Sequence, residues 1–264
     1  MSEQRVAIEI KDHVADVRML RADRHNALDW QMFQGLLDAV RRLQDEETVR
    51  VVVLSGEGPS FCSGLDFPSF MSGDVPIDAA FEHSNPEDIA NNAQQVAYGW
   101  QQLRMPVIAA LQGVCYGGGC QLALGADIRI AAPDTKMSVM EIKYGLIPDM
   151  AITQTITRLT RLDVAKELTY TGRIVEAEEA LRLGLVTRIE QDSRSVALEL
   201  AATIAAKSPD ATRGAKKLFN EAWLASPADG LALEESLQKS IIGQPNQMAA
   251  VQASMTRQPA VYKD

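Results

Sequence analysis

Cysteine and histidine are scarce in this 264-residue chain, with three of each. Cys62, Cys115 and Cys120 form no CxxC pair and sit in apolar or glycine-rich stretches. That pattern disfavours a disulfide framework or a zinc site and favours reduced, packed thiols. His13, His25 and His83 are not paired at ligand spacing, so histidine triads and redox-metal centres are not expected. An excess of positive charge is also missing, the formal net charge being −9. Nucleic-acid partners usually need a concentrated basic face, and none is expected here. An anionic small molecule stays open, because a few local cations suffice for one phosphate. No apolar run approaches the ~20 residues of a membrane span, and the first residues lack the apolar core of a signal peptide. The expectation is a cytoplasmic protein without membrane association. Low-complexity linkers and convincing internal repeats are lacking too.

The composition, 46% hydrophobic and 23% charged, suits one large domain or a domain with an appendage. Alternating Val6, Ile8 and Ile10, then Val14, Val17 and Met19 across a polar break, predict a β-hairpin. Phe33, Leu36, Leu37, Val40 and Leu43 recur at helical spacing between Trp30 and Asp45. The runs Val51–Leu54 and Val107–Leu111 are uniformly apolar and predict buried strands. Helix is expected from Asn91 to Arg104, ending before Pro106, and again from Gly117 to Leu124. Further strands are expected at Asp127–Ala132 and Lys136–Val139. The stretch from Pro68 to Asn85 is polar and punctuated and predicts a mobile loop. After Pro148 helical patterns dominate, with one short strand at Leu185–Ile189. Strands and helices first, helices last, point to an α/β core with a helical C-terminal layer.

Two glycine-bearing loops each follow a buried strand. One runs from Ser60 to Asp66, the other from Gly113 to Gln121. Glycine lets backbone approach a ligand closely, and three glycines opening a helix present unpaired amides at its positive end. Neither loop matches GxxxxGK[ST] or GxGxxG, so nucleotide-phosphate loops are disfavoured. Tight turns and close helix–sheet packing would explain either loop alone.

Taken together and in order, five segments resemble the enoyl-CoA hydratase/isomerase (crotonase) family. They are Asn26–Leu28, Phe61–Asp66, Gly117–Gln121, Glu141–Pro148 and Ala177–Val186. The resemblance implies a spiral of ββα units over residues 1–200 and a helical trimerisation region over 201–264. It further implies an acyl-CoA substrate, no metal, no cofactor beyond that CoA, and a homotrimer or dimer of trimers. Ile204, Leu218, Leu231 and Leu237 would then need burial beyond one subunit.

By the same resemblance the backbone amides of Leu65 and Gly118 hold the thioester oxygen. Preorganised donors there stabilise a developing enolate by roughly 3–4 kcal/mol each. The family's hydratases use two acidic residues. The second is present as Glu141, whereas the position of the first holds Gln121. An amide does not exchange protons near neutral pH, so double-bond isomerisation is favoured over hydration. Gln121 is then either a hydrogen-bonding group in the site, able to orient water, or a helix-surface residue. Asp149 matches an aspartate of the dienoyl-CoA isomerases and could equally be a helix N-cap. The same slot carries the nucleophile of chlorobenzoyl-CoA dehalogenases, but those have tryptophan where Glu141 stands. Arg24, Ser63, Asp66 and Lys263 are the candidates for substrate or CoA contact, with an exposed terminal lysine as the alternative for Lys263. Turnover could also be absent, leaving an acyl-CoA-binding relative.

Overall fold

The alternating start of the chain forms a hairpin, β1 (Val6–Lys11) against β2 (Val14–Met19), paired from Val6–Met19 to Lys11–Val14. Its two-residue turn, Asp12-His13, has φ of 48° and 66°, the backbone hand that matches strand twist. The computed structural model describes residues 4–85 and 87–264. Asp29 caps helix α1 (Trp30–Asp45), accepting from the Met32 amide at 2.8 Å. The apolar stripe of α1 is buried from Met32 to Leu43.

Strand β3 (Val51–Gly56) then runs parallel to β2. Helices α2 (Phe67–Met71), α3 (Ile77–Phe81) and α4 (Asn92–Gln102) lead to β4 (Val107–Leu111), parallel to β3. The stretch expected to be a mobile loop thus contains α2 and α3. Each is five residues long, too short to display a helical period in sequence. An Asn91/Gln94 capping box fixes the start of α4.

The uniformly apolar runs behave as strands covered on both faces. From β3 and β4, Val52, Leu54, Val107, Ala109 and Leu111 enter the main core with α1 and α4. The alternate residues Val51, Val53, Ile108 and Ala110 face the opposite side, against Ala197, Ala201 and Ala205. Small residues four apart let their helix approach the sheet closely. Burying each Val, Leu or Ile stabilises the fold by about 1.5–3 kcal/mol.

After β4 come β5 (Val114–Tyr116), α5 (Gly118–Leu124), β6 (Ile128–Ala131) and β7 (Lys136–Ser138). Then follow α6 (Ile152–Thr155), α7 (Leu162–Thr171), β8 (Val175–Glu176), α8 (Ala177–Arg182) and β9 (Arg188–Ile189). One sheet has the order β1-β2-β3-β4-β6-β9, and a second, β5-β7-β8, stands apart.

Four helices close the chain: α9 (Ser193–Ala205), α10 (Pro209–Ala222), α11 (Pro227–Ile241) and α12 (Pro245–Thr256). The boundary expected at residue 200 falls inside α9, whose alanines belong to the core packing just described. Lys216 of α10 is buried, and its ammonium donates to the carbonyls of Trp100 (3.1 Å) and Met105 (2.9 Å) and meets Asp127 at 2.9 Å. All three donors are satisfied, which ties α10 to the core. The C-terminal tail is held as well: Arg50 meets Asp264 at 2.6 Å and donates to Tyr262 O at 3.2 Å. Among the described residues no helix is long and apolar enough to cross a membrane.

The interface residues expected from sequence are only partly free. Leu231 is exposed, whereas Leu218 and Leu237 are half-buried and Ile204 packs partly against the core. The more exposed apolar side chains of this region are Phe219, Leu224, Met255 and Val261.

Candidate active site

The two glycine loops lie side by side. Cys62 and Cys115 form a parallel bridge, with Cys62 N donating to Val114 O (3.1 Å) and Tyr116 N to Cys62 O (3.0 Å). Leu28 and Leu65 form another, in which Leu28 N donates to Gly64 O (2.8 Å) and Asp66 N to Leu28 O (3.1 Å). In such a pairing successive N–H groups point to opposite sides. Asp66 N faces Leu28, so the Leu65 amide faces away from it. The Gly118 amide belongs to the first turn of α5 and has no intrahelical acceptor. Gly64, with φ of 88°, admits the close approach: a β-carbon on it would stand 2.6 Å from Tyr116 O and 3.5 Å from Gly118 N.

Leu65 and Gly118 line a cavity of about 560 Å³. Its wall is apolar and aromatic, including Phe33, Phe67, Phe70, Val75, Ile77, Ala80, Phe81, Leu146 and Ile147. Four of the six phenylalanines in the chain stand here. The rings of Phe67 and Tyr144 lie 3.7 Å apart, centroid to centroid. Most of this wall comes from α2 and α3, which the motifs did not mark, and from Tyr144, Leu146 and Ile147 of the Glu141–Pro148 segment, which they did.

Gln121, Glu141 and Asp149 all line the same cavity. Gln121 is buried in α5, which excludes a helix-surface role. Its Oε1 accepts from the Met150 amide at 2.8 Å, and its Nε2 donates to Glu141 Oε1 at 2.6 Å. A backbone N–H can only donate, so the amide oxygen must face Met150 and the NH2 must face Glu141. Glu141 opens a short 3-10 turn ending at Gly145, with φ of 70°. Its second oxygen, Oε2, is buried without a hydrogen-bond partner among the described residues.

Burial raises the Glu141 carboxyl above the ordinary carboxylate range; the Gln121 hydrogen bond opposes this and the Asp149 charge adds to it. Asp149 is more open to solvent, and desolvation by the cavity walls raises it too. Asp149 is not a helix cap. Helix α6 starts at Ile152, its cap position is Ala151 with φ of 60°, and no side chain caps it. The carboxyl group therefore belongs to the cavity.

The expected contact residues divide. Ser63 lines the cavity, and its hydroxyl donates to Arg24 O at 3.4 Å. The Arg24 side chain is 65% exposed and does not line it. Asp66 does not line the cavity either: it is buried, accepts from Ser69 N at 3.2 Å as the cap of α2, and pairs with Arg21 at 2.5 Å. That spends both carboxylate oxygens on structure. Lys263 is pinned through its backbone to the Asn246 side chain, at 2.8 and 2.9 Å, and does not line this chain's cavity. Sequence reasoning missed Arg21, which has no motif, and Met150, which acts through its amide and leaves no side-chain signal. The three cysteines are buried, and burial pushes the Cys62 thiol up to about 12 and the Cys115 thiol well above its usual range. Neither is a nucleophile near neutral pH.

These features define an α/β protein with two backbone amides and two carboxyls around one apolar cavity. The sequence matches the enoyl-CoA hydratase/isomerase family over residues 9–264, and the chain belongs to that family. Mouse mitochondrial methylglutaconyl-CoA hydratase is 31% identical over 253 residues, 92% of this chain and 77% of that protein. The crystal structure of an enoyl-CoA hydratase from Bacillus anthracis matches with a TM-score of 0.90 at 29% identity, over 98% of this chain and 99% of that one. An enoyl-CoA hydratase from Mycobacterium tuberculosis gives 0.87 at 26% identity, covering 99% of both chains. The fold is the crotonase fold, and the protein is an enzyme of acyl-CoA chemistry.

Proposed function

We propose that this enzyme moves a double bond along an enoyl- or dienoyl-CoA through an enolate, using no cofactor beyond the CoA of its substrate. The reading rests on Gln121. Its amide is held between the Met150 N–H and Glu141 and carries no proton to exchange. Glu141 takes a proton from the carbon chain beside the thioester, and negative charge passes to the thioester oxygen. The Leu65 and Gly118 amides stabilise that oxygen, and the proton returns further along the chain, from Glu141 for a short shift or through Asp149 for a longer one. A base whose affinity for protons is raised by burial suits both halves of this cycle.

Hydration is the second reading, favoured by the relatives, most of which are named as hydratases. There Gln121 would orient water and Glu141 alone, or with Asp149, would move the protons. Supplying 3-enoyl-, 3,5-dienoyl- and 2-enoyl-CoA and separating products by chromatography with mass detection decides between them. Isomers without mass change are expected, with at least ~10²-fold loss in Glu141→Gln. A product heavier by one water, formed from 2-enoyl-CoA at the faster rate, would establish hydration instead. No turnover of any thioester, with binding retained, would leave a binding protein.

A further inference from the structure

The cavity that holds Glu141 is one-sided in charge. Among the described residues that line it there is no lysine, arginine or histidine. Its ionisable members are Glu141, Asp149 and the phenol of Tyr144. Lys143 rests 5.5 Å from the Tyr144 ring centroid, yet it does not line the cavity. Apart from Ser63 and Gln121 the remaining wall is hydrocarbon and aromatic, much of it from α2 and α3.

We propose that this cavity selects acyl groups that are neutral hydrocarbon and rejects those ending in a carboxylate, an inference that rests on the acyl-CoA reading above. Away from the Ser63 and Tyr144 hydroxyls, the far end of an acyl chain running from the Leu65 and Gly118 amides meets phenylalanine and aliphatic side chains or a carboxyl group. A terminal carboxylate placed against the apolar wall would lose its water with no donor to replace it. Placed near Glu141 and Asp149 it would meet charge of its own sign. A saturated or aromatic end gains from the same surroundings by burying apolar area. The mouse relative shows that the distinction is a real one for this family, since methylglutaconyl-CoA carries a second carboxyl group. By this argument the 31% identity does not bring that substrate with it.

The test uses two saturated thioesters of equal carbon number, octanoyl-CoA and suberyl-CoA, which bind without reacting. Isothermal titration with the full-length protein should give at least ~100-fold weaker binding for suberyl-CoA, the scale expected for burying an unpaired charge. Phe81, 53% exposed on the cavity wall, can take a charged replacement without opening the core. In Phe81→Arg the gap should narrow to about tenfold or less, because the guanidinium supplies the missing partner. Equal or tighter binding of suberyl-CoA by the unaltered protein would overturn the proposal. So would a gap left unchanged in Phe81→Arg whose circular dichroism matches that of the parent. Failure of octanoyl-CoA itself to bind would instead bring down the acyl-CoA reading, and this proposal with it.

Discussion

Gln121 does two things that a glutamate in its place could not do together. Its carbonyl accepts from the Met150 amide, and its NH2 donates to Glu141. A carboxylate would keep the first bond and set a like charge against Glu141. The amide therefore leaves Glu141 and Asp149 as the two carboxyls among the described residues that line the cavity, and the Asp149 charge acts on Glu141. This coupling has a measurable consequence. Glu141 must be ionised to take a proton, so kcat/KM falls as pH drops through its raised value. Burial is the larger cause of that rise and the Asp149 charge a smaller one. Asp149→Asn removes a like charge, so the acid limb should move to lower pH. The same variant should lose more turnover on 3,5-dienoyl-CoA than on 3-enoyl-CoA. An acid limb that does not move would mean that the two carboxyls do not sense each other. At this scale the sequence was informative about which side chains meet around the cavity. Gln121, Glu141 and Asp149 all reach the cavity. Asp66 was misread because its motif position reports a backbone path beside Leu65, while its carboxylate is occupied by Arg21 and the α2 cap.

Among the elements, α5 shows why three glycines stand in a row, each under a different constraint. Gly117 has φ of 51° at the cap position. A β-carbon on Gly119 would lie 2.3 Å from the Cys62 carbonyl oxygen, a backbone atom that cannot give way without breaking the loop pairing. A β-carbon on Gly118 would lie 2.9 Å from both Leu28 Cδ1 and Met150 Sδ, which are side-chain atoms able to shift. Gly119→Ala should therefore cost more stability than Gly118→Ala, for which about 1–3 kcal/mol of overpacking is expected. Gly118→Ala should fold and still lose about 10²-fold in kcat/KM, because displacing Met150 disturbs the residue whose amide orients Gln121. Thermal melts and kinetics on the two variants check this; full activity in Gly118→Ala would remove Gly118 from the site. The strand-helix units were legible because their periods run long enough to read. Helices α2 and α3 were not, since Phe67, Phe70, Ile77 and Phe81 are spaced over two short turns broken by Gly73 and Pro76. Phe67, Phe70, Ile77 and Phe81 face a cavity, and of the two helices only Ala80 packs against the core.

For the whole molecule, the sheet order β1-β2-β3-β4-β6-β9 explains what a linear reading leaves out. Strands β5, β7 and β8 leave the main sheet to form their own, which carries the second glycine loop against the first. Parallel pairing between distant strands has no local signature, so the meeting of the two loops came from resemblance and not from periodicity. The same scale decides assembly. Helices α10 to α12 and the turn after α10 carry Phe219 at 76%, Trp223 at 58%, Leu224 at 78%, Leu231 at 64% and Met255 at 81% exposure. Scattered apolar residues need no explanation, but this number on three neighbouring helices marks a surface to be covered. We therefore expect a homotrimer or a dimer of trimers, with these helices at the contact. Light scattering at micromolar concentration should give three or six times 28.8 kDa. The double variant Trp223→Glu, Leu224→Glu should shift the mass toward the single chain, since each glutamate would place an unpaired charge inside the contact. Its melting temperature should lose the dependence on protein concentration that the parent's shows, because assembly stabilises by mass action. A parent protein that scatters as a single chain would show that this apolar surface serves something other than self-assembly.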